Sequence, residues 1–589
     1  MFVNNQIRKN VDSVYELVDE YSFNYSDGSN SEKYLDAVFS KEKNLSSNSQ
    51  ELEDYIVDWP SEYHLSSNRS LLLSEFDFDN DSSVLEIGCG CGAITRFLGE
   101  NFKVVHSVEG SKIRASLARK RTRDLENVQI VSAPFDLLNF KYKYDYIFCI
   151  GVLEYARSFV EGDDPYDLMI KKMKGLLKDT GVLVVAIENQ FGLKYFNGAF
   201  EDHTAVKYDG IEGYHAFPNK ARTFGYNELK TKVGEHFSNI DFYFPYPDYK
   251  LPNLLISERI TGKVNLSGLF RESIRKQNSR FRRRSSNNFI DELAFDEIDK
   301  NDIVNHLSNS FLIFCDNCDL DGGNATYDRS KWGAILYNYD STKSKLKVLS
   351  LMADKSQKFF SKKYYINYKD HKKVEIGLEP WIEGRTLEQV LNESLLCRID
   401  PFTVFCEYLA KYYKFLEEKS YVKDDKYLNG TDIDLLFRNL ILNDDKLVCI
   451  DKEHDFKSSV KTDIVFLRAL YYYLIGLRGS QYVDKLSKTT LKIISNKNIK
   501  KLLVELSNKL NIIISNEIIE EFCVIESQFL YNSCGGDRSH YNSLVKKHLK
   551  LNLIESSFHL FTKNIVRSIL RLFTKELRYR KMIRNGDNH

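Results

Sequence analysis

The sequence predicts an α/β architecture spread over more than one domain, and three observations predict it. The run Ser83–Glu100, SVLEIGCGCGAITRFLGE, reads as a buried strand, a glycine-rich bend and a helix. A second strand-like run, KVVHSVEG, follows that helix and ends at Glu109, so strand, bend, helix and strand succeed one another as in an α/β unit. The chain's 589 residues also exceed what one hydrophobic core accommodates.

In the first run, Val84, Leu85 and Ile87 supply the strand, and Ile94, Phe97 and Leu98 share one helical face. Between them, Gly88, Gly90 and Gly92 bare the backbone N–H groups and the helix N-terminus toward an anionic or polar ligand. The spacing Gly88-x-Gly90-x-x-Ala93 satisfies the loose dinucleotide pattern, so NAD is one reading. Against it stands Glu86, two residues before the first glycine, where it would meet a pyrophosphate. A carboxylate there suits a ligand with a cationic amino group. Seventeen residues past Gly92, the strand KVVHSVEG ends in Glu109, which is placed to accept both hydroxyls of a ribose.

These residues resemble motifs I and II of the class I S-adenosylmethionine-dependent methyltransferases, and the resemblance continues in the family's order. Val128–Leu138 resembles the third strand, whose end, at Asp136, lies near the adenine. Tyr144–Ala156 resembles the fourth, with Gly151 and Glu154 at its tip, and Lys174–Asn189 a helix, a turn and the fifth. The resemblance implies a Rossmann-like, seven-stranded methyltransferase sheet over residues 56–261. It also implies S-adenosylmethionine as cofactor, held by Glu86, Gly88, Gly90, Gly92, Glu109, Asp136, Gly151 and Glu154. Residues 1–55 read as a polar, helical extension. The preface Asp58–Arg69 is either a lid over the cofactor or a helix packed at the sheet edge.

After the fifth strand, the segment AIENQFGLKYFNGAFEDHT (186–204) is dense in acidic, amide and histidine side chains, at the edge where such sheets bind ligands. Together with Phe242–Pro252 (FYFPYPDYKLP) and Tyr63–Ser66 (YHLS), it resembles a group of bacterial methyltransferases that occur with glycosyltransferases and surface-polysaccharide synthesis. That resemblance implies methyl transfer to a hydroxyl or phosphate of a cell-surface glycan or its precursor, with glycosyltransferases as partners. A hydroxyl acceptor must lose its proton as the bond forms. His203, flanked by Glu201 and Asp202, is the candidate base, with Glu188 as a second catalytic candidate. Glu188 and Asn189 are placed to hold sugar hydroxyls, and Lys194 to neutralise a phosphate or uronate. An ordinary loop histidine beside a solvated acidic pair is the alternative.

Residues 262–288, rich in Arg, Ser and Asn, read as a basic linker. From Phe289, four apolar runs beginning at Asn309, Trp332, Lys345 and Lys358 read as strands, followed by a hinge-like strand, turn and helix over Val374–Leu391. Asp434-x-x-x-x-Asn439, a strand turn and then Asp451 resemble the catalytic elements of kinases and aminoglycoside-type phosphotransferases. The resemblance implies a two-lobed, kinase-like α+β domain over 289–545. Asp434 would be its base, Asn439 and Asp451 would hold Mg²⁺, and ATP would be the phosphate donor. Asp432 stands where that family has His, no G-x-G-x-x-G covers the nucleotide, and Gly322-Gly323 is a partial substitute. None of Lys355, Lys358, Lys362 and Lys363 is singled out as the phosphate lysine. A non-catalytic scaffold recruiting glycosyltransferases is therefore the alternative. The domain order is similar to O-antigen chain-terminating enzymes, which cap a glycan with a methylated phosphate. Small-molecule methylation is a further reading.

The tail, 546–589, alternates an apolar stripe from Phe558 with Arg567, Arg571, Lys575 and Arg578. It reads as a basic amphipathic helix that lies on an anionic membrane surface through 558–584 or docks on protein. Lys+Arg and Asp+Glu balance at 83 each, which gives no electrostatic footprint for nucleic acid. Ten scattered cysteines and no signal-like opening suggest a reducing cytoplasm, with contact at the inner membrane face. Cys315-x-x-Cys318 has no second pair at zinc spacing and reads as incidental thiols.

Overall fold

The computed structural model describes residues 2–551, except 22, 24–27, 218–219, 276–287, 319–332, 341–344, 354–358, 368–372, 422–425, 451–455, 457, 479, 488–496 and 535–536. The described residues separate into two units, one built from residues 2–339 with Leu346–Pro380 and the other from Asp340–Lys345 with residues 381–551.

The first unit is organised on a single sheet. Its strands in chain order are β1 (Ile7–Lys9), β2 (Tyr15–Leu17), β3 (Ser83–Ile87), β4 (Val104–Glu109), β5 (Val128–Ser132), β6 (Tyr144–Ile150) and β7 (Leu177–Glu188). They continue with β8 (Asn239–Tyr246), β9 (Leu254–Ser257), β10 (Ser310–Asp316), β11 (Ala334–Asp340), β12 (Lys345–Ala353), β13 (Phe359–Asn367) and β14 (Lys373–Pro380). The spatial order is β1-β2-β5-β4-β3-β6-β7-β10-β8-β9-β11-β12-β13-β14, so the sheet has fourteen strands where seven were expected. Six strands, from β2 through β7, run parallel. Parallel strands share one carboxyl edge, and every candidate cofactor residue lies at or just beyond it.

The largest departure from the sequence reading is β10. The run SFLIFCD is buried at every position, which calls for a central strand covered on both faces. It inserts antiparallel between β7 and β8, with Phe311 opposite Ile187 and Leu312 opposite Tyr243. It therefore belongs to this sheet and not to a second domain. The runs at Trp332, Lys345 and Lys358 follow it there, β11 pairing with Leu254–Ile256 of β9. Ile335, Tyr337, Leu346 and Val348 join the core cluster that also holds Val84, Phe148 and Phe314. The expected small kinase lobe is thus part of the first unit's sheet.

Two further expectations change. The N-terminal extension begins with β1 and β2 rather than helices. Phe2 stacks on His106 at 4.2 Å between ring centroids, and β2 pairs parallel with β5 through Tyr15 and Val131. Three-residue strands are too short to leave a readable alternation. The basic linker opens with the helix Ser267–Arg275, packed on the helix Asp291–Lys300 through Phe270 and Phe295, whose rings stack at 3.8 Å.

The preface is a packed helix. Asp58 caps Trp59–Leu65 by accepting from Ser61 N at 3.0 Å, and Pro60 sits in the first turn. Leu65 enters a cluster with Tyr34, Leu35, Cys91 and Leu117. Arg69 then donates to the carbonyls of Tyr249 (2.9 Å) and Lys250 (3.1 Å).

The second unit holds a small sheet of β15 (Arg385–Thr386), β17 (Leu440–Asn443) and β18 (Lys446–Cys449), and the pair β16 (Tyr427–Leu428) and β19 (Val460–Lys461). Helices such as Pro401–Lys419, Thr462–Leu477 and Asn516–Cys534 form the rest of what is described. Among the described residues no helix is long and apolar enough to cross a membrane. The proposed membrane-facing stretch 558–584 lies outside the described residues.

Burial makes His106 a source of acid sensitivity. Desolvation pushes its pKa from 6.5 down to about 4. The unfolded chain takes up this proton from pH 6.5 downward while the folded chain refuses it until about pH 4. Stability is therefore complete above pH 6.5 and falls as pH drops through that window, by up to about 3 kcal/mol. Denaturant titrations of His106→Gln at pH 7 and pH 4.5 should show a smaller acid loss than the parent chain.

Candidate active site

The bend after β3 takes its shape from three left-handed glycines, with φ of 72° at Gly88, 54° at Gly90 and 86° at Gly92. A Cβ on Gly92 would lie 2.8 Å from the Ala118 Cα of the neighbouring helix, and one on Gly88 would strike Val152 beyond β6. Glu109, at the end of β4, clasps this bend. Its Oε2 accepts from Gly90 N at 2.8 Å and its Oε1 from Ser111 N at 2.9 Å. Glu86 is buried and accepts from Ser107 Oγ at 2.8 Å, and desolvation pushes its carboxyl up to about 7. Gly151 turns with φ of 70°, and a Cβ there would sit 2.5 Å from Tyr249 Oη. Asp136 is half-buried in the short turn Phe135–Leu137, where Lys172 Nζ donates to three carbonyls at 2.8–2.9 Å. From the N-terminal segment, Tyr21 bonds Ser132 Oγ at 2.8 Å, and Phe23 lies against Gly110 and stacks on Phe159 at 4.3 Å.

Beside this bend, at the tips of β6 and β7, lies a buried charged cluster. His203 Nε2 is 3.3 Å from Glu188 Oε2, and His203 Nδ1 is 3.1 Å from Tyr155 Oη. Lys250 Nζ pairs with Glu188 Oε1, and lies 3.2 Å from Asp202 Oδ2. Lys194 Nζ pairs with the same Asp202 oxygen at 2.5 Å and lies 3.7 Å from Asp248. Glu201 Oε2 accepts from His203 N at 2.7 Å and Thr204 N at 2.6 Å, fixing the loop that carries the imidazole. Glu154 is fully buried, with neither carboxylate oxygen hydrogen-bonded.

These neighbours set the charges. Burial alone would lower the His203 pKa, but the charge and hydrogen bond of Glu188 raise it to about 9. Desolvation works against the charged form of Glu188, yet Lys250 and His203 hold that carboxyl well below the usual range. Desolvation, and then the charge of Glu188, lift Glu154 to about 8. That shift favours the protonated imidazole and runs against the expected role of His203 as a base. Asn189 also differs from expectation. Its amide donates to the carbonyls of His306 (2.8 Å) and Ser308 (2.7 Å), and its oxygen accepts from Phe191 N at 2.9 Å. It latches β7 to the approach to β10 and leaves no group for a sugar hydroxyl. Lys194 and Asp202 do come together, as a pair. Lys250, Tyr155 and Arg69 were missed. Lys250 stands inside the FYFPYPDYKLP run, so its only sequence signal was the company of that motif.

In the second unit, Asn439 Nδ2 donates to the Asp434 carbonyl (2.8 Å) and to its Oδ2 (3.2 Å). Asp434 Oδ1 accepts from Arg468 Nη1 at 3.0 Å, and the same guanidinium donates through Nε to Glu526 Oε2 at 2.7 Å. Both Asp434 oxygens are thus engaged, so the expected base is a buried ion-pair partner here. Asp451 and the Gly322-Gly323 pair lie outside the described residues.

Residues 85–183 match the family model of a methyltransferase domain. Over this stretch the chain carries a methyltransferase domain. Among curated relatives it is 26% identical over 119 residues to (S)-coclaurine N-methyltransferase of Papaver somniferum, a match covering 20% of this chain and 32% of that protein. The enzyme of the same name from Thalictrum flavum subsp. glaucum is 28% identical over 109 residues, covering 18% and 28%. The chain spans about a third of the length of the curated relatives it matches. Similar solved structures include N-methyltransferase NodS from Bradyrhizobium japonicum WM9 in complex with S-adenosyl-L-homocysteine. That match is 21% identical with a TM-score of 0.20, over 27% of this chain and 74% of the other. The matched stretch contains the glycine bend, Glu109, Asp136, Gly151 and Glu154, whereas Glu188, His203 and Lys250 lie beyond it.

Two variants probe these arrangements. Gly92→Ala, forced into left-handed backbone against Ala118, should weaken S-adenosylhomocysteine binding in calorimetry by at least about tenfold, for a local cost of about 1–2 kcal/mol. Arg468→Met strands two buried carboxylates and should lower unfolding free energy by about 3–5 kcal/mol, with methyl-donor binding as the folding control for the first unit.

Proposed function

We propose that this chain transfers the methyl group of S-adenosylmethionine to an oxygen of a sugar-containing acceptor, a glycan or its precursor. The acceptor oxygen forms the new bond to carbon as the sulfur–methyl bond breaks, and the electron pair stays on sulfur to give S-adenosylhomocysteine; a hydroxyl acceptor releases its proton to water, and an ionised phosphate oxygen has none to lose. The observation that carries this reading is the adjacency of two structures on one sheet edge. The glycine bend clasped by Glu109 suits the nucleoside, and the Glu154–Glu188–His203 cluster lies at the neighbouring strand tips. Alignment of donor and acceptor in such a cleft contributes roughly 7–11 kcal/mol to methyl transfer when the geometry is good.

Two features favour a polar, ring-bearing acceptor. Lys194, Lys250 and His203 place cationic donors at the cleft, and Phe196, Phe200, Tyr208 and Phe217 are exposed on the segment between β7 and β8. Aromatic faces of this kind stack on sugar rings, and the segment also carries the motifs that resemble surface-polysaccharide methyltransferases. For the second unit we infer a binding role rather than phosphoryl transfer, because Asp434 is paired with Arg468. A second reading, methylation of an amine, is favoured by the curated relatives' names and by the acidic character of Glu154 and Glu188.

Incubation with methyl-labelled S-adenosylmethionine separates the readings. Label should enter cell-surface glycan from a deletion strain and be absent from glycan of the parent strain, whose sites are already filled. Label entering only small amines would overturn the glycan acceptor. In the same assay Lys250→Met should lower turnover at least about tenfold, because Glu188 and Asp202 lose the cation that fixes them.

A further inference from the structure

We propose that Glu154, Glu188 and His203 form a binding site for one divalent cation at the tips of β6 and β7. One ligand atom from each residue lies within 4.8 Å of the other two. The three come from different elements: the turn Leu153–Tyr155, the end of β7 and the loop after Asn197. Convergence of two carboxylates and an imidazole from separate elements is costly unless something cationic joins them.

Glu154 is the observation that points to a ligand. Its side chain is 0% exposed, and neither oxygen is hydrogen-bonded, although it stands beside a second buried carboxylate. The surrounding cations do not answer it. Lys194 and Lys250 are matched by Asp202 and Asp248, and Arg69 is spent on two backbone carbonyls and Tyr63 Oη. Lys250 also meets Glu188 Oε1, but none of these three side chains is ion-paired with Glu154. The second layer is also in place: Tyr155 Oη holds His203 Nδ1 and Lys250 holds Glu188 Oε1, so Nε2 and the other carboxylate oxygens turn inward. Two hard oxygens and one borderline nitrogen suit Mn²⁺, Fe²⁺ or Zn²⁺ better than a thiolate-seeking ion.

Cation binding itself is independent of methyl transfer; its role rests on that reading. With three protein ligands the ion keeps open positions, and an acceptor hydroxyl filling one would be oriented toward the methyl donor and made more acidic. No imidazole base is then required of His203.

The test is a titration of the chelator-treated full chain with MnCl₂, read by the paramagnetic resonance signal of free Mn²⁺. One site per chain is expected, with affinity falling at least about tenfold in Glu154→Gln and in His203→Gln. Both variants should keep the parent's circular dichroism spectrum, which confirms that the unit is folded, and the parent chain is titrated separately with S-adenosylhomocysteine in calorimetry. A parent chain that leaves the Mn²⁺ signal unchanged would overturn the proposal, as would variants that bind the ion equally well. The nucleoside titration fails or succeeds separately, so loss of the cation site and loss of the methyltransferase reading are distinguishable.

Discussion

The grip of Glu109 on two backbone N–H groups is the contact on which the site depends. One carboxylate oxygen holds Gly90 in the bend after β3 and the other holds Ser111 in the turn after β4. The first bond ties β3 to β4, so these adjacent parallel strands cannot slide past each other without breaking it. Charge-assisted bonds of this kind are roughly twice as strong as neutral ones. The clasp also explains the demand for glycine. Gly90 sits in left-handed backbone at φ 54°, and a Cβ there would also meet the Arg114 guanidinium at 2.8 Å.

A second constraint governs the acceptor side, where five carboxylates, two lysines and a histidine share one small region. Such a cluster holds together only if each charge is met. Lys250 meets two of them, bridging Glu188 on β7 to Asp202 on the following loop. Arg69 in turn binds the carbonyl of Lys250, so the preface helix, though not a lid, fixes the aim of that lysine from the opposite side. The packing of Trp59–Leu65 and the chemistry at β7 are thereby one problem. A substitution in the preface would be felt as misplacement of Lys250.

What the sequence made legible follows from distance along the chain. The glycine bend and Glu109 were readable because strand, turn and helix impose local spacing. Glu188, Asp202 and His203 were readable as a cluster because one loop carries them. Lys250 is 62 residues from Glu188, and no period connects them. Strand β10 shows the same limit at larger scale. Its seven buried residues read correctly as a strand, but pairing partners are set by the sheet, and the arginine-rich run before it mimicked a domain boundary. His203 failed differently: its position was right and its charge was not, because burial beside Glu188 decides protonation and spacing does not report burial.

In the second unit the spacing expected to carry catalysis is built into a packed loop. The Asp434–Asn439 spacing keeps a loop geometry in which the amide bonds the aspartate's own carbonyl, and the hairpin β17–β18 follows directly. A phosphoryl-transfer base must meet an incoming hydroxyl, yet Arg468, 2% exposed, lies against Asp434 and Glu526 together. Freeing Asp434 would leave that guanidinium half-matched in a dry interior, a change of several kcal/mol. Asp434 and Asn439 hold this loop together, and the ion pair with Arg468 occupies the carboxylate that a phosphoryl-transfer base would need free.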